Sequence, residues 1–272
     1  MEGECIMRPA SFGIVFAMLF LCFTIISDHG TAVLQEISFL RINYNNCLDN
    51  AIEDAMTESV EIDNGCQVRL NKEEVVDSFF TAMAVNFDAM ENSGKRELLK
   101  VCVPVIAFVE RSKVTFFYDF LNEGNTREVW FEKKWKDFRI YFTLTDYVRV
   151  ENMETGDALE GDFHDIGKVY SIPFFQEESW FYEEQKRLTR EVLLENLEEI
   201  VKEHNVAVKQ LGIQYHFFLP VIKDEEWYRE IDQISMLVLF QGYPYGNHTI
   251  GYYNRMAIGG AEIKKEKGYE YR

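Results

Sequence analysis

The chain has 272 residues, with 46 acidic against 28 basic side chains, a formal charge of −18 and a pI near 4.7. So acidic a surface repels DNA, RNA and anionic lipid headgroups, which excludes nucleic acid as a partner held by charge. The length allows one large or two small domains with a substantial core, and the 15% aromatic content suits strands and large contact surfaces.

The first element is Ser11 to Ser27, SFGIVFAMLFLCFTIIS, an uncharged run between Arg8-Pro9 and Asp28-His29. As a helix it is roughly 25 Å long, near the lower limit for crossing a hydrocarbon core of about 30 Å. A secretory signal has a basic n-region, a shorter apolar core and small residues at the cut. Here Arg8 stands against Glu2 and Glu4, and the tolerable cleavage pattern, Gly30-Thr31-Ala32, follows two polar residues. Ser11 to Ser27 therefore reads as an uncleaved anchor in the lipid bilayer, with a cleaved signal as the alternative. Both readings send Asp28 to Arg272 across the membrane, and the anchored form is a single-pass cell-membrane protein with an extracytoplasmic C-terminal domain.

Beyond the run, Val33, Ile37, Leu40, Tyr44, Leu48, Ala51 and Ala55 recur at spacings of three and four, the stripe of an amphipathic helix. Two packings suit it. The stripe either lies on its own domain or bundles with other subunits, and the second makes Val33, Ile37, Leu40, Tyr44 and Leu48 a partner interface. The layout is thus a tail and anchor over 1–30, an amphipathic helix over 31–60 and an α+β head over 61–272, mainly antiparallel sheet with packed helices.

Within the head, Asp63-Asn64-Gly65 predicts a turn and 67–70 a short strand. Asn71 with Glu74 forms a capping box that opens a helix to about Ala89, and 95–100 is a second short helix. The runs 101–110 and 113–121 read as a hairpin, with Pro104 delaying the first strand because it cannot donate to a ladder. Strands follow at 126–132, 138–144 and 147–150, with KKWKD as a charged linker. The acidic segment 151–167 reads as a surface loop and a place for a subdomain boundary. Leu188, Val192, Leu193, Leu197, Ile200 and Val201 mark a long helix ending near Asn205, then a turn to Gly212 and a strand over 213–219. A short helix over 225–231, a strand over 235–240 buried on both faces, a turn-rich stretch over 242–253 and a strand over 256–263 complete the chain.

Chemistry has few handholds. Cys47, Cys66 and Cys102 lie beyond the anchor and read as ordinary buried or half-exposed thiols, with Cys47 to Cys66 the favoured bridge if one forms, and no spacing suits zinc. Asp162, His164 and Asp165 offer too few ligands for a metal site and read as a solvated loop. Acidic residues flanking Trp180, Phe181 and Tyr182 admit a carbohydrate-stacking reading, or a plain acidic first turn of a helix. Gly242-Tyr243-Pro244-Tyr245-Gly246 is either an exposed aromatic binding loop or a turn whose rings cap the sheet. Asn247-His248-Thr249 fits a glycosylation sequon. No catalytic, cofactor-binding or metal-ligating residue is assigned, and the chain reads as non-enzymatic.

A short tail, an apolar span, a helix leaving the membrane and a sheet-rich head resemble the layout of pilins, pseudopilins and TadE-like minor pilins. NKEEVVDSFF, VCVPVIAFVE, FQGYPYG and MAIGGAEI are similar to anchored proteins of Gram-positive bacteria associated with such systems. In the pilin pattern a Gly precedes an apolar run with Glu near its fifth position, whereas Gly13 here is followed by Ile14 to Met18 and the span has no acid. The resemblance thus implies an accessory or tip subunit of a pilus-like appendage or secretion machine, with protein partners. The alternatives are an anchored ligand-binding or sensory ectodomain and, behind it, an exported hydrolase.

Overall fold

The structure is a computed structural model that describes residues 9–58, 60–62, 68–122, 124–220, 235–246 and 251–260. Its first element, α1 (Pro9–Glu58), is one uninterrupted helix about 75 Å long. Phe12 to Ile26 of α1 are bare, with Phe16 and Phe23 each 68% exposed, and among the described residues this is the one helix long and apolar enough to cross a membrane. At its other end Leu48, Ala51, Ile52, Ala55 and Met56 are buried in the head.

The head is α+β. The short strands β1 (Val60–Ile62) and β2 (Val68–Leu70) pair with each other. A capped helix α2 (Lys72–Asn86) follows, its Asn71 side chain accepting from the Glu74 amide at 3.5 Å, and then α3 (Ser93–Val101), capped in the same way by Asn92. A five-stranded antiparallel sheet is built from β3 (Val105–Val109), β4 (Lys113–Tyr118), β5 (Asn125–Trp130), β10 (Ser235–Pro244) and β11 (Tyr252–Gly260), in the order β11-β10-β3-β4-β5. A four-stranded antiparallel meander joins β6 (Glu132–Trp135), β7 (Phe138–Phe142), β8 (Tyr147–Asn152) and β9 (Ala158–Asp162).

The central strands β3 and β10 are covered on both faces, which is why Val105–Val109 and the run from Met236 to Phe240 are apolar without alternation. Ile106, Phe108, Val238 and Phe240 point into one core with α1, α2 and α3. Val105, Ala107, Leu237 and Leu239 point into a second with the inner face of the meander, the short α4 (Phe163–Val169) and the long α5 (Glu178–Gln210). The chain changes sheets at Phe131, fully buried between β5 and β6. Its amide donates to the Ser112 carbonyl at 3.1 Å and its carbonyl accepts from Phe142 at 2.8 Å, so the corner itself is hydrogen-bonded.

Several elements differ from the sequence expectation. The KKWKD segment is strand β6 and a turn with Lys136 at φ 51°, since Lys133 and Trp135 pack while their neighbours face solvent. Residues 151–167 are not a loop. They finish β8, form β9 in register with it and open α4, where Phe163 and Ile166 enter the core. Helix α5 runs five residues past Asn205 to Gln210, because His204 and Val208 continue its buried face. The segment 213–219 is extended yet joins no ladder. Side-chain amides take the place of a neighbouring strand: Asn205 pairs with the Phe217 amide and carbonyl, each at 2.8 Å, and Gln241 with those of Phe218 at 3.0 and 2.7 Å. The expected turn at 63–65, helix at 225–231, sequon at 247–249 and residue Cys66 lie outside the described residues.

Candidate functional site

The interface expected on α1 is largely occupied by the chain's own head. Leu48 is fully buried, and Ile37, Leu40 and Tyr44 pack on the core beneath α1, Leu40 lying over Gly246. Val33 is half-buried. Tyr44 sits in a nest of rings, 5.4 Å from Phe87, 5.3 Å from Tyr243 and 5.5 Å from Tyr253 between centroids. Its hydroxyl reaches the Pro244 carbonyl at 3.3 Å. The exposed apolar residues of this stretch lie elsewhere on the helix, at Leu34, Phe39 and Ile42, each more than 60% exposed.

The aromatic loop is therefore no open binding loop. Tyr243 and Tyr245 are each 8% exposed and cap the sheet against Tyr44. Burial pushes the Tyr243 and Tyr253 hydroxyls up to about 12, as expected for rings used as packing. Of the three rings at 180–182, Trp180 is 52% exposed and the other two are engaged within the fold. Phe181 is buried, stacked on Phe163 at 3.8 Å, and Tyr182 donates to Asp146 at 2.8 Å. Burial works to raise the Glu184 pKa, but hydrogen bonds from Arg187 and Lys133 outweigh it and hold the carboxylate below its ordinary range.

Around α4, Asp162 caps the helix through the His164 amide at 2.9 Å and also meets His164 Nδ1 at 3.1 Å, while Asp165 pairs with Lys168 at 2.6 Å. Among the described residues no three His, Cys, Asp or Glu side chains converge on a metal position. The Cys47 thiol donates to the Asn86 carbonyl at 3.2 Å, and Cys102 is buried.

The arrangement with most chemical potential is a cleft that sequence reading missed. It has a volume of about 750 Å³, within the size range of small-ligand sites, and lies where the two sheets meet. Its floor is a single cross-strand row on the outer face of the meander, Glu132, Tyr141, Arg149 and Glu160, each directly opposite the next in register. The inner-facing neighbours Ile140, Phe142, Val148 and Val150 are buried, so alternation along the strands forces the row outward. The walls are Trp130, 46% exposed at the end of β5, and Tyr147, 39% exposed at the start of β8. Arg111, from the turn between β3 and β4, stacks on Tyr147 at 5.5 Å and donates to Thr145 at 3.4 Å. Lys113 stands 5.4 Å over the Trp130 ring while paired with Glu128 at 2.7 Å. Desolvation, then the Glu160 charge and hydrogen bond, raise the Tyr147 pKa above its ordinary value; Arg111 works against them. The row spans four strands whose pairing no local pattern specifies, and the outward alternation of β8 was its only trace in the sequence.

Comparison with protein-family models, with curated proteins and with solved structures gives no match.

Proposed function

We propose that the chain is a single-span membrane protein whose head is an extracytoplasmic, non-enzymatic binding module carried on α1. The observation that carries this reading is the division of labour along one helix: bare apolar side chains from Phe12 to Ile26, and buried ones from Leu48 to Met56. Ile37, the first stripe residue packed on the head core, lies ten positions beyond Ser27, so the head contact begins about 15 Å along the helix from the end of the apolar run. The polar-faced stretch between them is the amphipathic continuation of the anchor. The cleft supplies the binding surface, with aromatic walls and a floor in which Arg149 stands opposite Glu160 across strands.

The test is topology. Protein from the membrane fraction, extracted with carbonate and sequenced from its N-terminus, should retain Ser11 to Ser27, and protease added to intact spheroplasts should digest the head. A soluble chain beginning at Val33, or a head protected until lysis, overturns the reading.

A second reading, an accessory subunit of a pilus-like appendage or secretion machine, draws support from the exposure of Leu34, Phe39 and Ile42 beyond the apolar run. In it those residues, rather than Tyr44 and Leu48, meet partner helices.

A further inference from the structure

We propose that the cleft between the two sheets binds a neutral oligosaccharide, stacked on Trp130 and Tyr147 and hydrogen-bonded by the floor row. This deepens the binding-module reading and rests on it, since an extracytoplasmic head faces the polysaccharides of the cell exterior.

Charge selects the ligand class first. Arg111 and Arg149 balance Glu132 and Glu160, two positive against two negative, so the cleft is formally neutral in a chain of −18. A polyanion meets the repulsion of the whole molecule, and a cation gains no net local charge. The functional groups come next. Guanidinium groups only donate hydrogen bonds and ionised carboxylates only accept, so Arg149 beside Glu160 in the floor, with Arg111 above it and Glu132 at the other end of the row, present both kinds. Sugar hydroxyls do both, and vicinal pairs match the two-pronged geometry of carboxylate and guanidinium. Third, the half-exposed rings of Trp130 and Tyr147 offer flat apolar faces beside those polar groups, suited to the C–H face of a pyranose. Lys113 and Arg111 each lie over one face of these rings, so a sugar would stack on the opposite faces. The cleft is open along the sheet face, so it takes a segment of a chain rather than a single enclosed ring.

The experiment uses the full chain in lipid nanodiscs, so that no sugar-headed detergent competes. Hexasaccharides of β-1,4-glucose, β-1,4-N-acetylglucosamine and α-1,4-glucose are titrated by calorimetry and by tryptophan fluorescence. At least one should bind with a Kd of about 10 μM to 1 mM, and Trp130→Ala should weaken it roughly tenfold or more. Tyr147→Ala and Arg149→Ala should weaken it as well, and Trp130→Phe should retain binding while removing the fluorescence change. Thermal melts check that each variant folds; Arg149 is exposed, so its variant serves if Trp130→Ala does not. The proposal is overturned if none of the three sugars binds up to about 10 mM, or if binding survives all three alanine variants unchanged. It is equally overturned if the cleft instead takes a charged peptide in a salt-sensitive manner. Because binding is read in nanodiscs and topology in spheroplasts, failure of the sugar proposal is distinguishable from failure of the reading it rests on.

Discussion

Gly259, on β11, lies so close to Ile52 of α1 that a Cβ at this position would collide with the Ile52 γ2 methyl. Helix and strand pack backbone to side chain here, so Gly259→Ala should cost about 1–3 kcal/mol by overpacking. Ile52→Ala in the same background should recover part of that loss, a coupling that a double-mutant cycle of melting temperatures measures. His204 gives a pH signature. It is buried against Phe217, and its Nε2 lies 2.9 Å from the Val101 carbonyl, which can only accept, so Nε2 carries the proton of a neutral ring. Burial lowers its pKa, opposed by the hydrogen bond to Val101 and by Asp119. The unfolded ring, with a pKa of about 6.5, therefore takes a proton before the folded one does. Its stabilisation is complete above that value and is lost as pH falls through it toward the folded pKa. Melting temperature should drop more between neutral pH and pH of about 5 in the wild type than in His204→Gln, which keeps a donor for Val101.

At the scale of elements, the extended segment 213–219 holds its place through two side-chain amides rather than a ladder. Gln241→Leu removes both partners of Phe218 from a site where the glutamine is 1% exposed, and each group left unpaired costs about 1–3 kcal/mol. Asn205→Ala should act in the same direction through Phe217, with denaturant midpoints as the readout. On α1 the two faces should separate cleanly. Leu48→Ala empties a fully buried position and should destabilise the head by about 2–5 kcal/mol. Phe39→Asp changes a side chain that is 70% exposed and should move head stability by less than about 0.5 kcal/mol. If the appendage reading holds, the same Phe39→Asp variant loses its partners in a pull-down from membranes; unchanged partners, or none in the wild type, remove that reading.

For the molecule as a whole, α1 is both the apolar run and a wall of one core. The head packs against Ile37, Leu40 and Tyr44 as well as against the last turns of the helix. Cutting the chain after Tyr44 would remove its ring and uncover Phe87, Tyr243 and Tyr253. Chains starting at Ala32 and at Asn45 should therefore differ in stability, the shorter melting lower. Equal melting temperatures would show that the ring nest contributes nothing.

What was legible in the sequence was whatever local chemistry decides. The apolar run of Ser11 to Ser27, the Asn71 and Glu74 cap, the delay imposed by Pro104 and the continuous burial of 235–240 each depend on neighbours a few residues away, and each stands as an element of the fold. Where long-range pairing decides, sequence patterns misled. Residues 158–162 have no apolar alternation and become a strand because β8 presents a free ladder edge to them. Residues 213–219 have strand composition yet stay outside any sheet, and at Phe217 and Phe218 the side-chain amides of Asn205 and Gln241 take the backbone groups a ladder would use. The stripe from Val33 to Ala55 has the spacing of an interface, but a periodic face does not say whether its cover comes from the same chain. Tertiary structure answers that for Tyr44 and Leu48 by placing Phe87, Tyr243 and the α2 core against them. The cleft is the extreme case. Glu132, Tyr141, Arg149 and Glu160 come from four strands, and only the registers that bury Ile140, Phe142, Val148 and Val150 on the other face bring them into one row.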